Sequence, residues 1–247
     1  MTSIQKKKFN GNFSHECGGS IISQKFVLTA AHCLYKTDKS QFKLVFATVN
    51  ISQSSYPIER FVKNLFIHSK YDGYQFYYDI ALIELDQELE FHDGLSPICL
   101  PKSASDNADG LKNNAATLMG WGSSYRKRPG PPSNRLKQTQ VTIFPQKYCD
   151  ESRSQGSNHL SKLFQPNLLC AGYESGLRNT CNGDSGSPLV VYDSDENIYT
   201  QVGVVSGGDC KRIRKPSIYS RLEDFEVLSF IYLKTFNRIV PDQLACK

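Results

Sequence analysis

Short apolar runs recur along the whole chain, separated by residues that favour turns. "SIISQKFVLTA", "FKLVFATV", "IALIEL", "AATLMGW", "TQVTIF", "SPLVVY", "YTQVGVVS" and "SIYSRL" are the clearest. The turn residues between them mark them as strands, and Gly, Pro, Tyr, Phe and Thr spread along the whole length predict an all-β sandwich or barrel. A helical period emerges only near the end. There Phe225, Leu228, Ile231, Tyr232 and Phe236 follow spacings of three and four. That spacing predicts an amphipathic helix with its apolar face packed on the body. Pro97 to Gly110, "PICLPKSASDNADG", is polar and turn-rich and reads as a connector between two halves. Ser123 to Asn134, "SSYRKRPGPPSN", mixes basic residues with prolines and reads as an exposed loop. Its Arg126-Lys127-Arg128 run is solvated charge, with an exosite or a nicking point as the sharper reading. No internal repeat is visible.

Composition narrows the class. The 247 residues, 39% hydrophobic, suffice for one large domain or two small ones with a real core. A net charge of +5 spread over mixed acids and bases fits a solvated surface, not a nucleic-acid binder. No apolar run is long enough to cross a membrane. Eight cysteines with no Cys-x-x-Cys pair, beside five scattered histidines, point to disulfides in an oxidising compartment. They do not suggest a metal site, and no cofactor motif stands out. The sequons at Asn12 and Asn50 fit a secreted glycoprotein. The start, "MTSIQKKKFNGNFSHE", has lysines but no apolar core, so it is not a secretory signal. A secreted composition without that signal predicts that the chain is part of a longer precursor.

The stretch "NTCNGDSGSPLV", Asn179 to Val190, carries the chemistry. A serine hydroxyl is a weak nucleophile and needs a base, which in turn needs an orienting group. His32, where the apolar run "LTAAHC" ends, is the candidate base, because imidazole titrates near neutrality. Asp79 in "YYDIALIEL" is the candidate orienting carboxylate, anchored by the apolar run after it. His15, His68, His92 and His159 stand in polar, loop-like contexts and receive no role.

The order His, Asp, Ser, together with "CGGSIISQKFVLTAAHC", "DIALIEL", "PICLP", "GWG", "LLCAGY", "NGDSGSPLV", "VVSGG" and "SIYSRL", resembles the chymotrypsin/trypsin-like serine proteases. The resemblance runs from about Cys17 to the C-terminal helix. It implies two packed antiparallel β-barrels, with the site in the cleft between them. The expected layout is a single peptidase domain over 1–247: first barrel 1–105, second barrel 106–222, helix 223–240. The implied activity is secreted serine endopeptidase, a hydrolase acting on protein or peptide substrates. A non-catalytic homologue serving as a binding or regulatory module is the alternative. Ser185 would be the nucleophile, His32 the base and Asp79 its partner. The N–H groups of Gly183 and Ser185 would form the oxyanion hole. Ser206 matches the family serine that bonds the catalytic aspartate beside the substrate cleft. Asp184 would pair with the α-ammonium of a new N-terminus after zymogen cleavage. An activating protease and protein inhibitors are the implied partners.

The same resemblance implies disulfides Cys17–Cys33, Cys149–Cys170 and Cys181–Cys210. Cys99 and Cys246 remain. The family cysteine in "PICLP" often bridges to a propeptide or light chain, and a Cys99–Cys246 bond is the other possibility. The specificity pocket departs from the trypsin pattern. Asn179 stands where trypsin-like enzymes carry an aspartate for Arg or Lys. "SGGDC" lacks the usual tryptophan, so Gly207 or Gly208 is the wall glycine. Ser217 occupies the place of a second wall glycine and is expected to narrow the slot. Strict cleavage after Arg or Lys is therefore not expected. Phe76 lines the neighbouring subsite or serves as a structural aromatic. Only 16 residues precede Cys17, and they do not begin with an Ile-Val-Gly-Gly-like start. That shortage predicts a missing activation segment, a zymogen-like Asp184 and a nearly inactive 247-residue chain.

Overall fold

The apolar runs wrap into two barrels, and the second repeats the strand order of the first. The computed structural model describes residues 1–52, 57–73, 76–104, 110–111, 114–124, 130–154, 167–173, 179–208 and 215–235. Strands β1 (Thr2–Lys7), β2 (Phe13–Ile21), β3 (Phe26–Thr29), β4 (Phe42–Phe46), β5 (Ile58–Ile67) and β6 (Ala81–Leu85) form the first barrel. They pair in the order β1-β2-β3-β6-β5-β4, and β1 closes the barrel against β4. The second barrel comprises β7 (Ala115–Gly120), β8 (Lys137–Ile143), β9 (Leu168–Gly172), β10 (Pro188–Asp193), β11 (Ile198–Gly207) and β12 (Ser217–Arg221). Its order, β7-β8-β9-β12-β11-β10, is the same six-strand pattern, closed by β10 against β7. All pairings are antiparallel, so closure removes exposed sheet edges. This all-β, two-barrel architecture with a C-terminal helix is chymotrypsin-like.

Each barrel fills itself from alternating positions. Ile4, Phe26, Leu28, Phe42, Leu44, Phe46, Leu82 and Leu85 pack the first core. Leu118, Val141, Leu169, Leu189, Val202 and Tyr219 pack the second. The run "SIISQKFVLTA" is two strands, not one. Ser23 Oγ accepts from Phe26 N–H (3.1 Å) and turns the chain between β2 and β3.

Helix α1 (Gln146–Ser154) was not apparent from periodicity. Helix α2 (Phe225–Thr235) starts at Asp224, whose carboxylate accepts from the N–H groups of Glu226 and Val227, both at 3.0 Å. Its buried residues are Val227, Leu228, Phe230, Ile231 and Thr235. Phe225, expected on the packed face, is instead 67% exposed, because it lies in the first turn beyond the contact. Phe236 lies outside the described residues. So do Arg126-Lys127-Arg128, most of the connector after Ala104, His159, Cys210 and Cys246. Disulfides join Cys17 to Cys33 and Cys149 to Cys170. Cys99 and Cys181 are also disulfide-bonded. No helix among the described residues is long and apolar enough to cross a membrane.

Candidate active site

His32 is presented by a stop in the first barrel. The fully buried strand β3 ends at Thr29, and the chain makes a single 3-10 turn over Ala31–Cys33. The Cys17–Cys33 disulfide ties that turn to β2. His32 is held by Asp79 through two bonds. Its backbone N–H donates to Oδ1 (2.8 Å) and its ring Nδ1 to Oδ2 (2.7 Å). A carboxylate only accepts, so this geometry places the ring proton on Nδ1. Nε2 keeps its lone pair and lies 3.8 Å from Cys33 Sγ. The His32 side chain is one-third exposed, whereas Asp79 is sealed at 2%. Cys17, His32 and Cys33 cluster closely enough to suggest ligands, but both sulfurs are consumed in the disulfide.

Asp79 is buried and takes hydrogen bonds from both barrels. The fully buried strand β6 begins two residues after it. From the second barrel, Ser206 Oγ donates to Oδ2 (2.5 Å) and Ser220 Oγ to the Asp79 carbonyl (2.9 Å). The Ser206 bond and the two His32 bonds satisfy the carboxylate and offset much of the cost of burying it, while the Ser220 bond fixes the backbone.

Ser185 belongs to the second barrel, and glycines let it approach the first. Gly183 has φ +95° and Gly186 φ +77°. A Cβ on Gly186 would lie 2.2 Å from Thr29 Oγ1 and 2.4 Å from the Gly18 carbonyl, so only glycine fits there. Gly18 N–H donates to the Ser185 carbonyl (2.8 Å), beside the disulfide that flanks His32. Gly186 N–H donates to Val205 O (2.8 Å), and Val205 N–H to Ser187 O (2.9 Å), which fixes the turn to β11. Ser185 is thus seated against the His32 segment. Among the described residues, no hydrogen bond yet joins its hydroxyl to the imidazole.

Asp184 turns away from Ser185 into the second barrel. Its carboxylate accepts from Gly122 N–H (2.8 Å) and Cys181 N–H (2.9 Å). Burial pushes its pKa above the ordinary carboxylate value, and these two bonds only partly oppose that. No ion pair with it forms among the described residues. The Met1 ammonium is itself buried, which lowers its pKa.

Two histidines set aside on sequence grounds are buried, contrary to the loop-like reading. His15 lies on β2 between the barrels. Ser3 Oγ donates to its Nδ1 (2.8 Å), and its Nε2–H donates to the Gly183 carbonyl (2.8 Å), so it braces the loop before Ser185. Burial pulls its pKa down. His68 follows β5 and is 5% exposed. Polar sequence neighbours hid both, because their burial comes from distant strands and α2.

The residues expected to set specificity, Asn179 and Ser217, form a closed polar cluster with Thr180. Ser217 is fully buried, and its Oγ contacts Asn179 Oδ1. It also accepts from Thr180 N–H (3.0 Å) and shares a bond with Thr180 Oγ1 (2.6 Å). Asn179 Nδ2 donates to the Lys215 carbonyl (2.6 Å). The Asn179 amide is therefore satisfied at both ends within the wall. Of the two candidate wall glycines, Gly208 faces this cluster: a Cβ there would lie 1.9 Å from Thr180 Oγ1. Gly207 instead lies under the ring of Phe76: a Cβ there would lie 2.5 Å from Cε1.

Two closed six-stranded antiparallel barrels define the chymotrypsin-like class. The chain belongs to the trypsin family, whose sequence description, "Trypsin", matches residues 1–229. It is 31% identical to a venom protease of Bombus pensylvanicus over 214 residues, covering 85% of this chain and 82% of that protein. It is 32% identical to transmembrane protease serine 11B of Homo sapiens over 212 residues, 85% of this chain and 48% of that protein. It is 33% identical to serine proteinase stubble of Drosophila melanogaster over 231 residues, 91% of this chain and 28% of that protein. The chain thus spans less than half the length of the last two relatives.

Proposed function

We propose that this protein is a secreted serine endopeptidase that acts through an acyl-enzyme on Ser185. The observation that carries the reading is the Asp79–His32 pair of the first barrel, seated against the Ser185 turn of the second. Ser185 Oγ attacks the scissile carbonyl and its proton passes to His32 Nε2. Asp79 keeps the imidazole in the required tautomer and stabilises the imidazolium. Gly183 N–H and Ser185 N–H hold the oxyanion. The leaving amine takes the proton back, and water then releases the acyl group by the reverse sequence. The relatives are named proteases, which supports a peptidase function. The uncharged, internally satisfied Asn179 and the buried Ser217 favour a small or medium P1 side chain over Arg or Lys.

Asp184 serves as acceptor for an α-ammonium in the activated form. A longer chain cut to begin with an Ile-Val-like sequence should give a larger active-site burst than the chain beginning at Met1. Equal bursts would remove that role.

A non-catalytic homologue is the second reading. It is favoured by the unmade Ser185–His32 bond and by an Asp184 that forms no ion pair among the described residues. A serine-reactive fluorophosphonate, applied to the cleaved form, separates the two. Labelling at Ser185 that is abolished by His32→Ala supports the endopeptidase. A cleaved form that stays unlabelled supports the binding module. Single Ser185→Ala and His32→Ala variants should each lose activity by several orders of magnitude, and the double variant little more.

A further inference from the structure

Tyr78, the residue immediately before Asp79, has φ +49°. Bulky side chains strongly disfavour this left-handed region, and tyrosine has no local hydrogen bond to support it. The conformation has a visible effect. Ile80 N–H donates back to the Tyr78 carbonyl (2.7 Å), closing a tight turn with Asp79 at its apex. The Asp79 carboxylate leaves that apex toward His32.

The strained residue is held from outside. The Tyr78 ring lies flat on His68, with centroids 4.7 Å apart and planes 7° from parallel. Lys70 Nζ stands 5.1 Å from the same ring. His68 is itself immobilised. Its backbone N–H donates to the Ile80 carbonyl (3.1 Å), across the mouth of the Asp79 turn. Its Nδ1 accepts from Lys70 N–H (3.3 Å). Phe230 of α2 closes on its edge with centroids 5.0 Å apart. Lys70 Nζ pairs with Glu226 of α2 at 2.9 Å. The bracket therefore runs from the C-terminal helix through His68 and Tyr78 to Asp79.

We propose that His68 is a positioning residue for Asp79: its flat stack holds Tyr78 left-handed, and that conformation aims the Asp79 carboxylate at His32. This rests on reading Asp79 and His32 as the proton-transfer pair. A residue that merely filled the core would alter stability without moving the carboxylate.

A glycine at position 78 separates the two cases, because glycine adopts positive φ without steric cost and needs no clamp. Two readouts are taken on the cleaved protein. One is the downfield proton resonance of the His32 Nδ1–H bonded to Asp79, which needs no turnover. The other is kcat and KM on a peptide substrate. His68→Ala should weaken the resonance and lower kcat about tenfold, the factor set by an unsupported left-handed residue, with KM little changed. His68→Phe, which preserves a flat ring, should retain both. Tyr78→Gly should retain both, and adding His68→Ala to it should cost nothing further. His68→Met fills the volume without a flat ring and replaces His68→Ala if that variant unfolds. Parent-level resonance and kcat in His68→Ala or His68→Met would overturn the proposal. So would equal losses with tyrosine and with glycine at position 78. A protein with no turnover whose resonance follows this pattern would refute the endopeptidase reading and leave the positioning role standing.

Discussion

Gly122→Ala places one methyl group where the Asp184 carboxylate lies. On the observed backbone the new Cβ would be 2.1 Å from Oδ2, 2.2 Å from Cγ and 2.4 Å from Oδ1, whereas ordinary contact begins at 3.4 Å. The carboxylate has little room to shift. Its oxygens accept from Gly122 N–H and Cys181 N–H, and it sits on a short side chain. It must leave, and two buried N–H groups then lose their charged acceptor. At roughly 1–3 kcal/mol for each such loss, the cost is about 2–6 kcal/mol. That is a large fraction of the roughly 5–15 kcal/mol that keeps a domain folded. The displaced residue lies between Gly183 and Ser185, so the same movement distorts the loop proposed to hold the oxyanion. Loss of one such donor typically lowers turnover by about 10²–10³. The expected result is a lower Tm and an acylation rate reduced by at least that factor. The assay is thermal unfolding, followed by burst titration at a temperature where parent and variant are both folded. A variant with parental Tm and acylation rate would refute the packing argument. A lowered Tm with parental acylation would refute the link from Asp184 to the oxyanion loop.

Asp184→Asn should alter the pH dependence of stability. Burial raises the folded pKa of Asp184, so the native state holds its proton more tightly than the unfolded chain does, and stability falls as pH rises above about 4. Urea unfolding should show the Asn variant gaining on the parent between acid and neutral pH; parallel curves would contradict this. His15 has the opposite sign. Its folded pKa is lowered, so stability is lost as pH falls below about 6.5, and His15→Gln should lose less than the parent over that range. An identical acid loss in both would show that His15 does not carry the effect. Ser217→Gly should open the pocket and raise the preference for large aromatic over small P1 side chains by roughly tenfold or more, read as a ratio of kcat/KM values. An unchanged ratio would mean that the hydroxyl does not limit the slot.

The legible parts of this molecule are those set by local pattern. Strands β3, β6 and β10 are short, mostly apolar runs, so they stand out. Strands β1, "TSIQKK", and β5, "IERFVKNLFI", do not. β1 is buried at Thr2, Ser3, Ile4 and Gln5, three of them polar, and β5 mixes apolar with charged residues at half-buried and exposed positions, so no apolar run marks either. The strand order common to the two barrels has no sequence echo, because closure constrains alternation and turn position, not residue identity. At the site, His32 and Asp79 are legible because one ends and the other begins an apolar segment, and Ser185 because glycines flank it. His15, His68 and the left-handed Tyr78 were not. Their roles come from contacts across the barrel seam and with α2, which no local window contains. The closed Asn179–Thr180–Ser217 cluster was half legible: the substitutions could be read, but not that the asparagine would be satisfied internally.

Helix α2 follows the second barrel in sequence, yet Val227, Phe230 and Ile231 complete the core of the first. The two halves are therefore not separable units that happen to touch. A chain severed between β6 and β7 would yield an amino-terminal fragment lacking part of its own interior. That fragment would consolidate only on meeting its partner. Recovery of structure should then be second order in fragment concentration and should follow the docking of one short helix. The same geometry makes that helix exchangeable, so two molecules at high concentration have a ready element to trade.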